Sequence, residues 1–182
     1  MTKTLLVIPL LFALACAGTS AAADAPAALI PKYSCLKGVS SVFVYVYLDK
    51  SLRDVGVEQS ALQTSVEVKL RGLGMTVYNI SSVLPMSTST VSLIIAIGAV
   101  KPQTVELYCY SISTQMTDAV ILPRQPRKVF YAPTWQDSDY GCAGKDVIVQ
   151  SVKDAFDKET NNFANDYLTA NPKPSPIPST TP

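Results

Sequence analysis

Between Val42 and Ile80 the hydrophobic period changes twice, and no other stretch constrains the fold as strongly. VFVYVYL alternates Val42, Val44 and Val46 with Phe43, Tyr45 and Tyr47. As a strand it sends valines to one face and aromatics to the other. Both faces are apolar, which predicts an interior strand rather than an edge. Leu62, Val66, Leu70 and Leu73 then recur at helical spacing, with Glu58, Gln59, Gln63 and Glu67 largely on the wet side. Lys69 and Arg71 fall in the last turn, where they complement the helix dipole. Gly72 and Gly74 bracket Leu73 in the manner of a glycine C-cap. Residues 75–80 (MTVYNI) resume the strand pattern. Such a strand–helix–strand unit predicts one layer of sheet under one layer of helix.

The remaining elements extend that unit. VSLIIAIGAV (91–100) reads as a buried strand. After a Lys101-Pro102-Gln103 turn, Val105, Leu107 and Cys109 alternate with Glu106, Tyr108 and Tyr110 as its hairpin partner. A turn is expected at Thr117-Asp118, then a short strand over 119–122. PRQPR (123–127) reads as an exposed connection or a blunted sheet edge. KVFYA (128–132) is the last expected strand, and residues 133–146, with Trp135 and three acids, read as a loop. A second helix should begin near Asp146. Its stripe runs through Ile148, Val152, Phe156, Phe163 and Tyr167, and Pro172 should stop it. The expected fold is α+β: a two-layer sandwich in which two helices pack on one face of a mixed, mostly antiparallel sheet.

The 182 residues suffice for one domain. Residues 1–23 have the layout of an export signal: Lys3, an apolar core from Leu5 to Ala15, and small residues ending at Ala23. Three alternatives stay open. The leader is cleaved at Ala23, or Cys16 is lipidated within a lipobox-like FALAC, or the segment is kept as an anchor, for which its apolar run is short. Residues 24–38 read as a loose entry segment, 39–171 as the domain, and 172–182 (PKPSPIPSTTP) as an extended tail.

Fifteen Lys and Arg stand against fourteen Asp and Glu, and the chain is neutral once Lys3 is removed. A neutral chain offers no general electrostatic attraction to nucleic acid or anionic lipid. There is no His, which excludes Cys–His and Ser–His–Asp chemistry and the commonest general base. Export makes a disulfide plausible. Apart from Cys16 the cysteines are Cys35, Cys109 and Cys142. Cys109 lies within an expected strand, where a buried thiol is the plain reading. Cys35 precedes the first strand and Cys142 follows the last, so antiparallel pairing of those strands would join Cys35 to Cys142.

The element order is similar to that of some small periplasmic α/β proteins: a helix ending in a Gly-rich turn before a strand, as in VEVKLRGLGMTV, then a hairpin, a TW loop and a terminal helix. Over roughly residues 40–170 it resembles the amino-terminal domain of TolB and the curli secretion lipoprotein group. The resemblance implies a non-enzymatic envelope role. TolB's propeller and clear membrane-spanning hairpins are missing from this sequence, so neither family's specific activity carries over.

The tyrosines are the main candidates for function. Tyr45 and Tyr47 share one strand face, and Tyr108 and Tyr110 share another. With Trp135 they would form an aromatic binding surface on a sheet face that helices leave open, or else they fill the core. Asp137 and Asp139 do not match a Ca²⁺ loop, and acids two apart in one loop make a weak pair for a carboxylate hydrolase. No GxSxG, SxxK or P-loop is present. No cofactor, metal or nucleic acid is expected. The expected partner is a protein or cell-wall component of the envelope, with self-association or membership of a larger assembly as alternatives. Membrane contact is expected only through lipidation of Cys16.

Overall fold

The computed structural model describes residues 31–78 and 90–172. The expected export signal, Cys16, the first part of the expected entry segment, the expected loop around Pro85 and the expected tail beyond Pro172 lie outside the described residues. The described residues fall in one compact unit. Its strands are β1 (Ser41–Leu48), β2 (Thr76–Tyr78), β3 (Thr90–Val100), β4 (Leu107–Ile121) and β5 (Val129–Gly144). The α-helices are α1 (Lys50–Asp54), α2 (Gln59–Gly72) and α3 (Ile148–Ala170), preceded by a 3₁₀ turn at Lys32–Leu36.

One five-stranded sheet runs in the order β2-β1-β3-β4-β5. The β1 strand is parallel to both neighbours, whereas β3–β4 and β4–β5 are antiparallel. The chain is therefore α+β with a mixed sheet, and the strand–helix–strand unit is adjacent and parallel. Val42, Val44, Val46 and Leu48 of β1 are buried beside Val91, Leu93, Ile95 and Ile97 of β3, in matching register. The same layer continues through Ile112, Thr114 and Met116 of β4 and Trp135 of β5. Leu62, Val66 and Leu70 of α2 and Ile148, Val152, Phe156 and Phe163 of α3 cover it. The apolar stripes of α2 and α3 point to this one layer, so none of the described helices lies on the opposite face of the sheet.

Among the described residues β2 pairs with Ser41–Phe43. Beyond it, α2 side chains take over the edge of β1. Gln63 accepts from the Val46 N–H (3.1 Å) and donates to the Val44 carbonyl (3.1 Å), while Gln59 donates to the Val46 carbonyl (2.9 Å). Two glutamines thus satisfy backbone groups that an extended β2 would have paired.

Three expectations about the elements themselves need correction. Residues 133–144 are strand, not loop: β4 and β5 form one long hairpin with a register shift between Met116 and Thr117 where a turn was expected. LDKSLRDVG contains α1, capped by Asp49, whose carboxylate accepts from the Ser51 N–H at 2.7 Å. From Pro31 on, the entry segment is built into the fold. Leu36 is fully buried, and Asn171, just past α3, donates to the Leu36 carbonyl (2.9 Å) and accepts from the Gly38 N–H (2.8 Å).

Candidate binding face

Strand alternation decides which candidates share a surface. On β1, Phe43, Tyr45 and Tyr47 point away from the helices, since their neighbours Val42, Val44 and Val46 are buried under them. The register then fixes two rows across the open face. One runs Tyr47, Ala96, Ser113, Ser138, and the next runs Gly98, Ser111, Tyr140. The centre is floored by small side chains. Tyr47 stands on one side, 57% exposed, and Tyr140 on the other, 84% exposed. An open depression of about 450 Å³ lies between Tyr47, Asp49, Ala96, Gly98, Ser111 and Ser113. A second, of about 260 Å³, adjoins it at Ser113, Gln136, Asp137 and Ser138. Phe43 packs on Tyr78 of β2 with ring centres 5.5 Å apart, extending the aromatic side of this surface.

Tyr108, Tyr110 and Trp135 do not belong to that face. In β4 the core residues Ile112 and Met116 are even-numbered, so Tyr108 and Tyr110 turn toward the helices with them. Tyr108 is buried and Tyr110 is half-buried. Trp135 pairs with Met116 and is fully buried. Its ring meets Phe163 edge-on at 5.0 Å, its Nε1 donates to Asp166 at 2.9 Å, and the Lys32 ammonium lies 5.3 Å from its centre. Trp135 therefore joins the 3₁₀ turn, β5 and α3 as a packing anchor. The candidate aromatic surface contracts to Tyr45 and Tyr47 and gains Tyr140, which sequence reasoning passed over because it sat in a presumed loop.

The cysteine pairing also differs from the expectation. Cys109 and Cys142 are direct cross-strand partners and form the disulfide, with Cα atoms 4.0 Å apart. Cys35 is a free, half-buried thiol whose Sγ donates to the Lys32 carbonyl at 2.9 Å. Burial pushes the Cys35 thiol up from its ordinary value. Pairing of Cys35 with Cys142 would require the first and last strands to be neighbours, but β3 and β4 stand between them. By alternation the disulfide lies on the open face, one row beyond Tyr140.

The acids of β5 face the helices and are tied to partners. Asp137 accepts from Asn162 Nδ2 at 3.0 Å and lies 3.6 Å from Lys32 Nζ. Asp139 accepts from Lys158 Nζ at 3.0 Å, and that bond holds its carboxyl below the usual range. Near them Glu159 of α3 is only 1% exposed, and its Oε2 has no hydrogen-bond partner. Burial first, then the neighbouring Asp137 and Asp139, push its carboxyl up to about 7. The buried Thr114 Oγ1, from the same layer of the sheet, also lacks a partner. Among the described residues no group of three His, Cys, Asp or Glu is placed to hold a metal ion.

No protein-family model matches the sequence, and no curated protein matches it. Several solved structures are similar. They include a PelC dodecamer from Paraburkholderia phytofirmans (13% identity, TM-score 0.39, 68% of this chain and 86% of that one). A minor lipoprotein from Acinetobacter baumannii is also similar (11% identity, TM-score 0.31, 72% and 93%). So is the hypothetical protein CT253 from Chlamydia trachomatis (10% identity, TM-score 0.38, 72% and 99%).

Proposed function

We propose that this chain is an exported, non-catalytic binding module that takes a protein or cell-wall partner of the envelope on its open sheet face. The observation that carries the reading is the pair of exposed tyrosines, Tyr47 and Tyr140, set on either side of a floor of Ala96, Gly98, Ser111 and Ser113. Tyrosine offers rigid apolar area with a hydrogen-bonding tip at small conformational cost, and a small-residue floor lets a partner approach the sheet closely. The rows of serine supply hydrogen-bonding groups at the centre. The leader-like residues 1–23 and a disulfide beside the face support an oxidising compartment outside the cytoplasm. Asp137 and Asp139 are committed to an amide and a cation, which speaks for binding rather than hydrolysis.

A second reading, membership of a larger assembly, draws on β5. Sixteen residues long, it pairs with β4 on one side and forms the edge of the sheet. A long edge is a template for strand addition by a neighbouring subunit.

The test is Tyr47→Ser/Tyr140→Ser. Both side chains are more than half exposed, so the variant should fold. It should lose the complex that the wild-type chain forms with envelope components in size-exclusion chromatography with light scattering. A folded double variant that keeps its complex would reject the open face. If the purified chain alone forms an oligomer that survives the substitutions, the β5 edge becomes the better reading.

A further inference from the structure

The β4–β5 hairpin outruns the sheet. The ladder between β3 and β4 ends at Ser92–Thr117, yet β4 continues to Ile121 and β5 begins at Val129. Among the described residues, 118–121 and 129–132 therefore pair within the sheet with each other alone, as a two-stranded arm. Such a ribbon has little core of its own. Even so, it displays Ile121 and Val129, direct cross-strand partners, each 59% exposed, and beside them the exposed Tyr131. The connection LPRQPRK places Arg124, Arg127 and Lys128 within five positions, all exposed, and no acid occurs between Asp118 and Asp137. None of those three cations has an ion pair among the described residues, in contrast to Lys32, Lys50, Arg71, Lys101 and Lys158.

We infer that the tip of this arm docks on an anionic lipid surface, with Arg124, Arg127 and Lys128 on headgroup phosphates and Ile121 and Val129 at the interface. Charge complementarity selects this occupant. A near-neutral chain has no overall attraction to a membrane, but three clustered cations next to exposed aliphatic side chains combine the two forces that hold a peripheral segment there. Pro123 and Pro126 reduce the freedom of the connection, so less entropy is lost on docking. The contact is separate from the open sheet face and does not depend on that reading.

The experiment is vesicle co-sedimentation of the full chain, comparing phosphatidylcholine vesicles with vesicles carrying three parts in ten of phosphatidylglycerol. Wild type should bind the anionic vesicles more tightly and be released by salt. Removing one cation should weaken binding about fivefold, and Arg124→Gln/Arg127→Gln/Lys128→Gln about a hundredfold. Affinity contributed by other segments is common to both chains and cancels in the comparison. Gln125→Trp supplies a readout that does not rely on the triple variant: Trp135 is buried and gives a constant background, so a blue shift on anionic vesicles reports entry of the tip. Equal binding by wild type and triple variant, indifference to phosphatidylglycerol, or no shift from Gln125→Trp would each overturn the inference. Retention of the arm by a protein instead of lipid would show as the first two results together.

Discussion

Tyr110 lies across Gly141, its direct cross-strand partner: a Cβ at Gly141 would sit 2.6 Å from the Tyr110 hydroxyl oxygen and 2.8 Å from Cζ. The ring occupies the space that a side chain would need, and so roofs the helix-facing end of the β4–β5 hairpin. Gly141→Ala should therefore displace the ring and cost about 1–2 kcal/mol, read from the urea midpoint. In a Tyr110→Ala background the same substitution should cost almost nothing, because the conflict is with the ring and not with the backbone. Equal costs in both backgrounds would mean that Gly141 is needed for another reason.

The Cys109–Cys142 bridge closes a span of 33 residues and fastens the hairpin on which Ser111, Ser113 and Tyr140 stand. A loop of that length corresponds to about 3–4 kcal/mol of lost chain entropy in the unfolded state. Reduction, or Cys109→Ser/Cys142→Ser, should lower stability toward that extent. Cys35→Ser should change it by less than about 1 kcal/mol. Peptide mapping under non-reducing conditions should find Cys109 joined to Cys142 and Cys35 free.

Glu159 should make stability depend on pH. Its folded carboxyl is pushed up to about 7, above the ordinary value of 4.5 that it recovers on unfolding. Between those values the unfolded chain has released a proton that the folded chain keeps, so stability should fall as pH rises from about 4.5 to 7 and level off above. The charges facing the group are Asp137 and Asp139 from β5, Lys158 from its own helix and Lys32 from the 3₁₀ turn. Glu159→Gln should flatten the profile in that window and gain about 1–2 kcal/mol at pH 8, by removing a buried charge with an unpartnered oxygen. A profile that rises through the window, or an unchanged one in Glu159→Gln, would contradict this assignment.

Much of the architecture was legible because its elements keep clean periods. Val42, Val44 and Val46 announce an interior strand, VSLIIAIGAV another, and the stripe from Ile148 to Tyr167 a covering helix. β5 was not legible over its second half. Its helix-facing positions include Asp137, Asp139 and Gly141, which look like loop residues until Asn162, Lys32 and Lys158 are seen to meet the two acids. That misreading also hid Trp135 in a loop and set Cys142 beyond the last strand. Placing the tyrosines on one face or the other requires joining β4's parity to that of β1. Ile112 and Met116 already mark the buried side of β4, and that mark alone sends Tyr108 and Tyr110 inward and Cys109 outward. The disulfide then follows from register, which requires strand order, and strand order is a long-range property that no local pattern carries.

The most direct test of the binding face is site-specific photocross-linking in the producing cells. p-Benzoylphenylalanine is placed at Ser113, at the centre of the open face, and separately at Lys153, on the exposed side of α3. The expected result is one discrete cross-linked product from Ser113, lost in the Tyr47→Ser/Tyr140→Ser background, and none from Lys153. Products from Lys153 with none from Ser113 would place the partner on the helix layer and contradict the account.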